Sequence, residues 1–166
     1  MATIQKIVPN LWFDDQAEKA VEFYLSVFKN ARKGKVSYYN NAGQDIHHKP
    51  PGSVLTIEFF IEGQSFLALN GGPDFKFSEA ISFIITCDTQ DEIDHYWDQL
   101  KAGGDPAAQQ CGWLKDRFGV SWQVSPAILE DMFLDANSEK SERAMKAMLG
   151  MKKLVIADLQ KAYEGN

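Results

Sequence analysis

The chain has 166 residues, 45% of them hydrophobic, 24% charged and 12% aromatic, the make-up of an ordinary globular protein long enough for one domain. Seventeen Lys and Arg against 23 Asp and Glu give a net charge of -6, which argues against a nucleic-acid binder that works by neutralising phosphates. Cys87 and Cys111 are too few for a disulfide framework and read as free thiols. No apolar run approaches the roughly 18 residues of a membrane span, and no basic-then-apolar stretch marks an export signal, so the cytoplasm is the expected location.

Residues 4–13 alternate loosely and run into Asp14-Asp15-Gln16, predicting a strand and then a helix start whose aspartates serve as caps at its positive end. Ala17, Ala20, Val21, Phe23, Tyr24, Val27 and Phe28 recur at three- and four-residue intervals, with Glu18, Lys19 and Glu22 opposite, which predicts an amphipathic helix. The basic run Lys29, Arg32, Lys33 and Lys35 reads as its solvated end. A short strand is expected at 36–39, then a polar loop through Asn40, Asn41, Gly43 and Pro50-Pro51-Gly52. Segments 54–61 and 65–69 flank Glu62-Gly63-Gln64 and predict a hairpin.

The order then returns. Residues 80–87 form an apolar strand, Asp88-Thr89 opens a helix through Ile93, Tyr96, Trp97 and Leu100, and Gly103-Gly104 ends it. Strands are expected around 107–111 and 113–115, and at 120–124 after the turn Asp116-Arg117-Phe118-Gly119. The halves match at an offset of 73 (88 minus 15): Asp15 with Asp88, Glu18 with Asp91, Ala20 with Ile93, Phe23-Tyr24 with Tyr96-Trp97. Gly63-Gln64-Ser65-Phe66 also lies opposite Gly119-Val120-Ser121-Trp122. The prediction is an α+β protein of two βαβββ units, about 1–75 and 76–126, forming one domain, with a helical C-terminal extension over 127–166. Helical spacing at 128–134, 138–149 and 155–163, with Ala144, Met145, Met148 and Leu149 at core positions, makes this extension a clamp on the sheet or on a partner subunit.

A doubled βαβββ unit with an aromatic pair closing its first helix resembles the vicinal oxygen chelate, or glyoxalase-like, superfamily. Residues 11–28, the run Ala68-Leu69-Asn70-Gly71-Gly72-Pro73, residues 111–123 around Gly112-Trp113-Leu114-Lys115, and Ala144-Met145-Lys146-Ala147-Met148 resemble its PhnB-like branch, often labelled 3-demethylubiquinone-9 3-methyltransferase. The resemblance implies half-sheets cupped around a pocket, a C2 homodimer, and a floor that often holds a divalent metal on four inward His and Glu side chains. Those positions fall here at Pro9, Leu67, Ser82 and Gln123, and a shift of one brings in Asn10 and Ala68. None is an imidazole, thiolate or carboxylate, so no metal and no other cofactor is expected. Nor is methyl transfer expected: Gly71-Gly72 runs into Pro73 rather than a helix, and Gly103-Gly104 follows one, so neither forms the strand, glycine turn and helix that cradle a nucleotide-like cofactor.

Elsewhere the chemistry is sparse. His47-His48 reads as loop, with the two rings pointing opposite ways, and His95 as a surface residue beside Asp94 and Asp98; Cys111 has no histidine to activate it. Alternation sends Leu11, Phe13, Leu67, Leu69, Ser82, Ile84 and Gln123 to the concave side, with Trp113 at the opening and Trp122 turned toward an interface or the sheet–helix core. That lining suits a small apolar or weakly polar molecule oriented by Ser82 and Gln123; a filled hydrophobic core is the equal alternative. The expected function is a small-molecule-binding, glyoxalase-like protein without the metal site. Beside it stand a metal-dependent lyase, isomerase or dioxygenase, and a dimerising structural protein with a closed pocket. The sequence names no catalytic residue and leaves open whether the protein is an enzyme.

Overall fold

The computed structural model describes residues 5–166, so Ile4 of the first expected strand lies outside the described residues. The chain divides into two units, one ending at Phe77 and one beginning at Ser78. The first contains β1 (Asn10–Phe13), α1 (Ala17–Val27), β2 (Ala31–Tyr38), the single turn α2 (Gln44–His47), β3 (Val54–Ile61) and β4 (Gln64–Asn70). Its sheet runs β1-β4-β3-β2, with β1 parallel to β4 and the other pairs antiparallel. The β3–β4 hairpin forms where expected, because Glu62 (φ 48°) and Gly63 (φ 82°) both take the left-handed conformation of a two-residue turn that follows strand twist.

Helix α1 buries Ala17, Ala20, Val21, Tyr24 and Val27 against a sheet face carrying Ile57, Phe59, Phe66 and Ala68. Tyr24 stacks on Phe59, and Phe59 on Phe66, with centroids 5.9 and 5.2 Å apart. The helix start differs from the sequence reading. Neither aspartate caps it, and Gln16 makes no side-chain cap. Asn70, 53 residues away at the end of β4, accepts from the Ala17 N–H at 2.8 Å. The basic run is also reassigned: α1 stops when Phe28 turns extended, so Arg32, Lys33 and Lys35 lie within β2. At this edge of the sheet their charges oppose pairing with another chain, and Arg32 lies 3.6 Å over the Phe60 ring.

The second unit contains β5 (Phe83–Cys87), α3 (Gln90–Lys101), β6 (Trp113–Lys115) and β7 (Ser121–Pro126), in sheet order β5-β7-β6 with β5 parallel to β7. It repeats the first unit with one change. The strand expected at 107–111 is a 3-10 turn (Pro106–Ala108) capped by Asp105, followed by a lone bridge from Gln110 to Trp113. Cys111 (φ 51°) and Gly112 (φ 83°) then take left-handed backbone that leaves the ladder. Thr89 caps α3 as the sequence implied, accepting from Glu92 N–H at 3.2 Å, while the Glu92 carboxylate accepts from Asp88 N–H at 2.8 Å. The offset of 73 holds for the helices, where Tyr24 and Val27 match Trp97 and Leu100, all buried. For the first strands the burial phase gives 74 (87 minus 13), Phe13 matching Cys87, because the strand-to-helix connection is one residue shorter.

Helices α4 (Ile128–Leu134), α5 (Ser138–Leu149) and α6 (Ile156–Glu164) follow, around a core of Leu129, Met132, Ala144, Leu154 and Leu159. Met145 and Leu149, expected in that core, are 39% and 55% exposed, because the buried stripe of α5 continues through Ala147 and Met148 instead. Main-chain bonds tie the tail to the strand-side loop: Cys111 N–H to Met151 O at 2.8 Å and Gly112 N–H to Lys152 O at 2.7 Å. Gln90 of α3 adds two more, accepting from Ile156 N–H and donating to Leu154 O.

Candidate functional site on the open sheet faces

Each sheet has one face under its helix and one face turned away, and the register decides which residue lies where. In the first unit Leu11 pairs with Ala68 and Phe13 with Asn70, which puts both on the α1 side, 5% and 3% exposed. The sequence reading placed them on the concave side; the parallel register with β4 reverses that phase, and they belong to the sheet–helix core. Leu67 and Leu69 do lie on the open face, half-buried, level with Asn10 and Trp12.

In the second unit the open face carries Ile84, Thr86, Gln123 and Ser125, and β6 sets Trp113 directly beside Gln123. The Gln123 amide donates to the Ser82 hydroxyl at 2.9 Å, so the two polar residues singled out in the sequence meet. Trp122 points the other way, 3% exposed, and its indole donates to the Asp116 carboxylate at 2.9 Å. Facing the open sheet surface, α4 contributes Leu129, Phe133 and Leu134 and α5 contributes Met148, enclosing a groove of about 500 Å³ that Cys111 also borders. That volume lies in the range of small-molecule sites. The helical spacing predicts these two helices and a clamp on the sheet or a partner, but not which of their side chains face the groove, since that is set by long-range packing.

The residues at the positions where the resemblance puts metal ligands do not fit a metal. Leu67 has no donor; Ser82 and Gln123 are neutral and already bonded to each other; and the strand offset of 74 makes Val8, not Pro9, the counterpart of Ser82. Among the described residues no group of three or more His, Cys, Asp and Glu gathers into a possible ion site. His47 and His48 were expected to point apart, yet both border one cavity on the first unit, because His47 closes a helical turn and His48 is left-handed (φ 55°) rather than extended. His95 lies edge-on to Tyr96 at 5.1 Å.

The thiols differ. Cys87 is buried, and its pKa is pushed up to about 12, chiefly by burial and further by Glu92 and Asp88. Cys111 is half-exposed. A thiol reagent such as Ellman's at pH 8 is therefore expected to titrate one cysteine per folded chain, Cys111, and two after denaturation; two rapid equivalents from the native protein would contradict the burial of Cys87.

Each unit is a helix-backed sheet with a parallel pair of strands at one edge, as in the glyoxalase-like, vicinal oxygen chelate fold class. Residues 5–125 match the family described as 3-demethylubiquinone-9 3-methyltransferase, and the chain belongs to that family, the PhnB-like branch. A PhnB protein from Bacillus cereus carrying the same label is 33% identical over 74% of this chain and 100% of its own, with a TM-score of 0.62. A Pseudomonas aeruginosa protein at 18% identity covers 75% of this chain and 98% of its own with a TM-score of 0.55. The fosfomycin resistance protein FosX from Listeria monocytogenes, in complex with Mn(II) and sulfate, is 17% identical over 80% of this chain and 96% of its own, with a TM-score of 0.50. These last two show the fold alone. No curated protein matches the chain. The family match stops at residue 125, so the helices that wall the groove lie beyond it.

Proposed function

We propose that this is a small-molecule-binding, glyoxalase-like protein that operates without a metal, and that its ligand is a neutral or weakly polar molecule with an apolar body. The Ser82–Gln123 pair carries the reading: a neutral amide, oriented by a hydroxyl, stands in a groove whose apolar lining includes Ile84, Trp113, Phe133 and Leu134, with Thr86, Ser125 and Glu130 as its other polar members. Such a surface favours an apolar body through burial and fixes its orientation through one or two hydrogen bonds. Leu67 and Leu69 offer a similar surface on the first sheet.

Methyl transfer is not part of the proposal. The Gly71 and Gly72 N–H groups already donate to Phe13 O and Asp14 O, and Gly104 N–H to Lys101 O, so these glycines have no main-chain donors left for a cofactor. We also propose a cytoplasmic homodimer. Among the described residues no helix is long and apolar enough to cross a membrane, and Ile81 and Leu149, 75% and 55% exposed and outside the groove, give the second unit apolar surface for a second copy.

Native mass spectrometry of the purified protein tests the function. The expected result is a co-purified organic ligand whose occupancy falls about tenfold in Gln123→Leu, the cost of one buried polar contact, and also falls in Ser82→Leu. About one metal ion per chain by elemental analysis would overturn the reading in favour of a metal-dependent lyase, isomerase or dioxygenase. A dimer with neither ligand nor metal would favour the structural role.

A further inference from the structure

The first unit has a cavity of about 690 Å³, bordered by Trp12, Tyr39, Leu69, His47, His48 and Lys49, with Gly71–Asp74 at one side. The polar ends of its rings are taken up by the protein itself. The Trp12 indole N–H donates to Gly72 O at 2.9 Å, and the Tyr39 hydroxyl donates to Asn70 O at 2.6 Å. His47 lies 4.5 Å from the Tyr39 ring. Its Nδ1 accepts from the Lys49 main-chain N–H at 3.0 Å, which leaves the proton on Nε2 to donate to Ala42 O at 3.2 Å. Phe75 braces Trp12 edge-on at 4.9 Å, and a Cβ at Gly71 would run into the indole. With their polar atoms engaged, and with Gly71 and Phe75 against Trp12 and His47 against Tyr39, what these rings can offer a ligand is the ring surface left uncovered, which suits a flat aromatic body.

The charge on the wall is equally specific. An ammonium has three donors, and among the described residues Lys49 makes one hydrogen bond, to Asp14 O at 3.1 Å. It is also ion-paired with the Asp14 carboxylate at 3.7 Å, a partner that is 56% exposed while the Lys49 side chain is 21% exposed, so the pair is held without a direct hydrogen bond to the carboxylate. The His48 imidazole beside it has no partner among the described residues. The other ionised residue of the lining, Asp74, is exposed to solvent. An ammonium on a half-buried side chain, with donors to spare beyond its contacts with Asp14 and next to aromatic rings, can seat an anion.

We propose that this cavity binds a planar aromatic carboxylate, its ring against Trp12 and Tyr39 and its carboxylate on Lys49. The inference stands apart from the groove of the second unit, and either can fail without the other. The test uses the full chain, labelled with nitrogen-15 and titrated with naphthalene-1-carboxylate and, separately, with the neutral naphthalene-1-carboxamide. Saturable shifts of the Trp12 indole N–H and the Lys49 amide are expected, with the carboxylate binding about tenfold more tightly than the amide. Lys49→Met should bring the carboxylate down to the affinity of the amide and leave the amide unchanged, while Lys49→Arg should restore most of the difference. Equal binding of the two probes, no effect of Lys49→Met, shifts confined to Trp113 and Gln123, or no saturable shift at all would each overturn the proposal.

Discussion

Asp116→Ala is expected to cost about 3–5 kcal/mol of unfolding free energy, the largest loss from any single substitution considered. Asp116 is 2% exposed at the β6–β7 turn. One carboxylate oxygen accepts from the Phe118 and Val120 N–H groups at 2.8 and 3.1 Å, and the other from the Trp122 indole at 2.9 Å. Its main chain closes the same turn, donating to Val120 O and accepting from Gly119 N–H. Removal of the side chain leaves three donors unmatched, two of them in buried surroundings, at about 1–3 kcal/mol each before relaxation. Asp116→Asn keeps one acceptor but sets an amide NH₂ or a turned carbonyl against the wrong partner, so an intermediate loss of about 2 kcal/mol is expected. Urea denaturation followed by tryptophan emission measures both. A loss under about 1 kcal/mol for the alanine variant would mean that water replaces the carboxylate and that the turn does not depend on it.

Asn70→Ala is expected to cost about 2–4 kcal/mol through a different part of the molecule. Asn70 is 5% exposed and uses both ends of its amide. The oxygen caps α1 at Ala17, and the nitrogen donates to the Glu18 carboxylate at 2.7 Å and to Val54 O at 3.1 Å. One side chain thus joins the end of β4, the start of α1 and the start of β3. The comparison that tests this is Thr89→Ala, which removes an exposed, local cap of the corresponding helix and should cost about 1 kcal/mol. Equal losses would reduce Asn70 to an ordinary cap. Asn70→Asp keeps the acceptor but sets a second carboxylate against Glu18, so its stability should fall as pH rises through the carboxylate range.

Much of the fold was legible because short-range patterns carry it. The apolar stripe from Ala17 to Val27, the Glu62-Gly63 turn and the spacing of Ile93, Trp97 and Leu100 each require only neighbours within one or two turns of chain. The misreadings share a cause. Leu11 and Phe13 form two steps of an alternation, and which step faces the helix is set by pairing with Ala68 and Asn70, far along the sequence. Residues 107–111 occupy the place of a strand in the repeated order, but Asp105-Pro106 starts a turn and left-handed Cys111 and Gly112 redirect the chain. For the candidate site, the resemblance and strand alternation place Ser82 and Gln123, and the structure sets them in hydrogen-bond contact, whereas which side chains of the tail face the sheet is not readable in the sequence, because that depends on packing between distant segments. Nothing near Asn70 in sequence announces that its partner is the first turn of a helix 53 residues earlier.

The C-terminal helices give this architecture a division of labour. Gln123 and its supporting hydroxyl lie within the span of the family match, residues 5–125, whereas Phe133, Leu134 and Met148 come from the later segment. Substitution of Phe133, Leu134 or Met148 would therefore reshape the chamber without touching the sheet's own pairing. That freedom has a boundary, because Met151 and Lys152 also accept from the amides of Cys111 and Gly112, so the tail both walls the groove and holds the loop beside it.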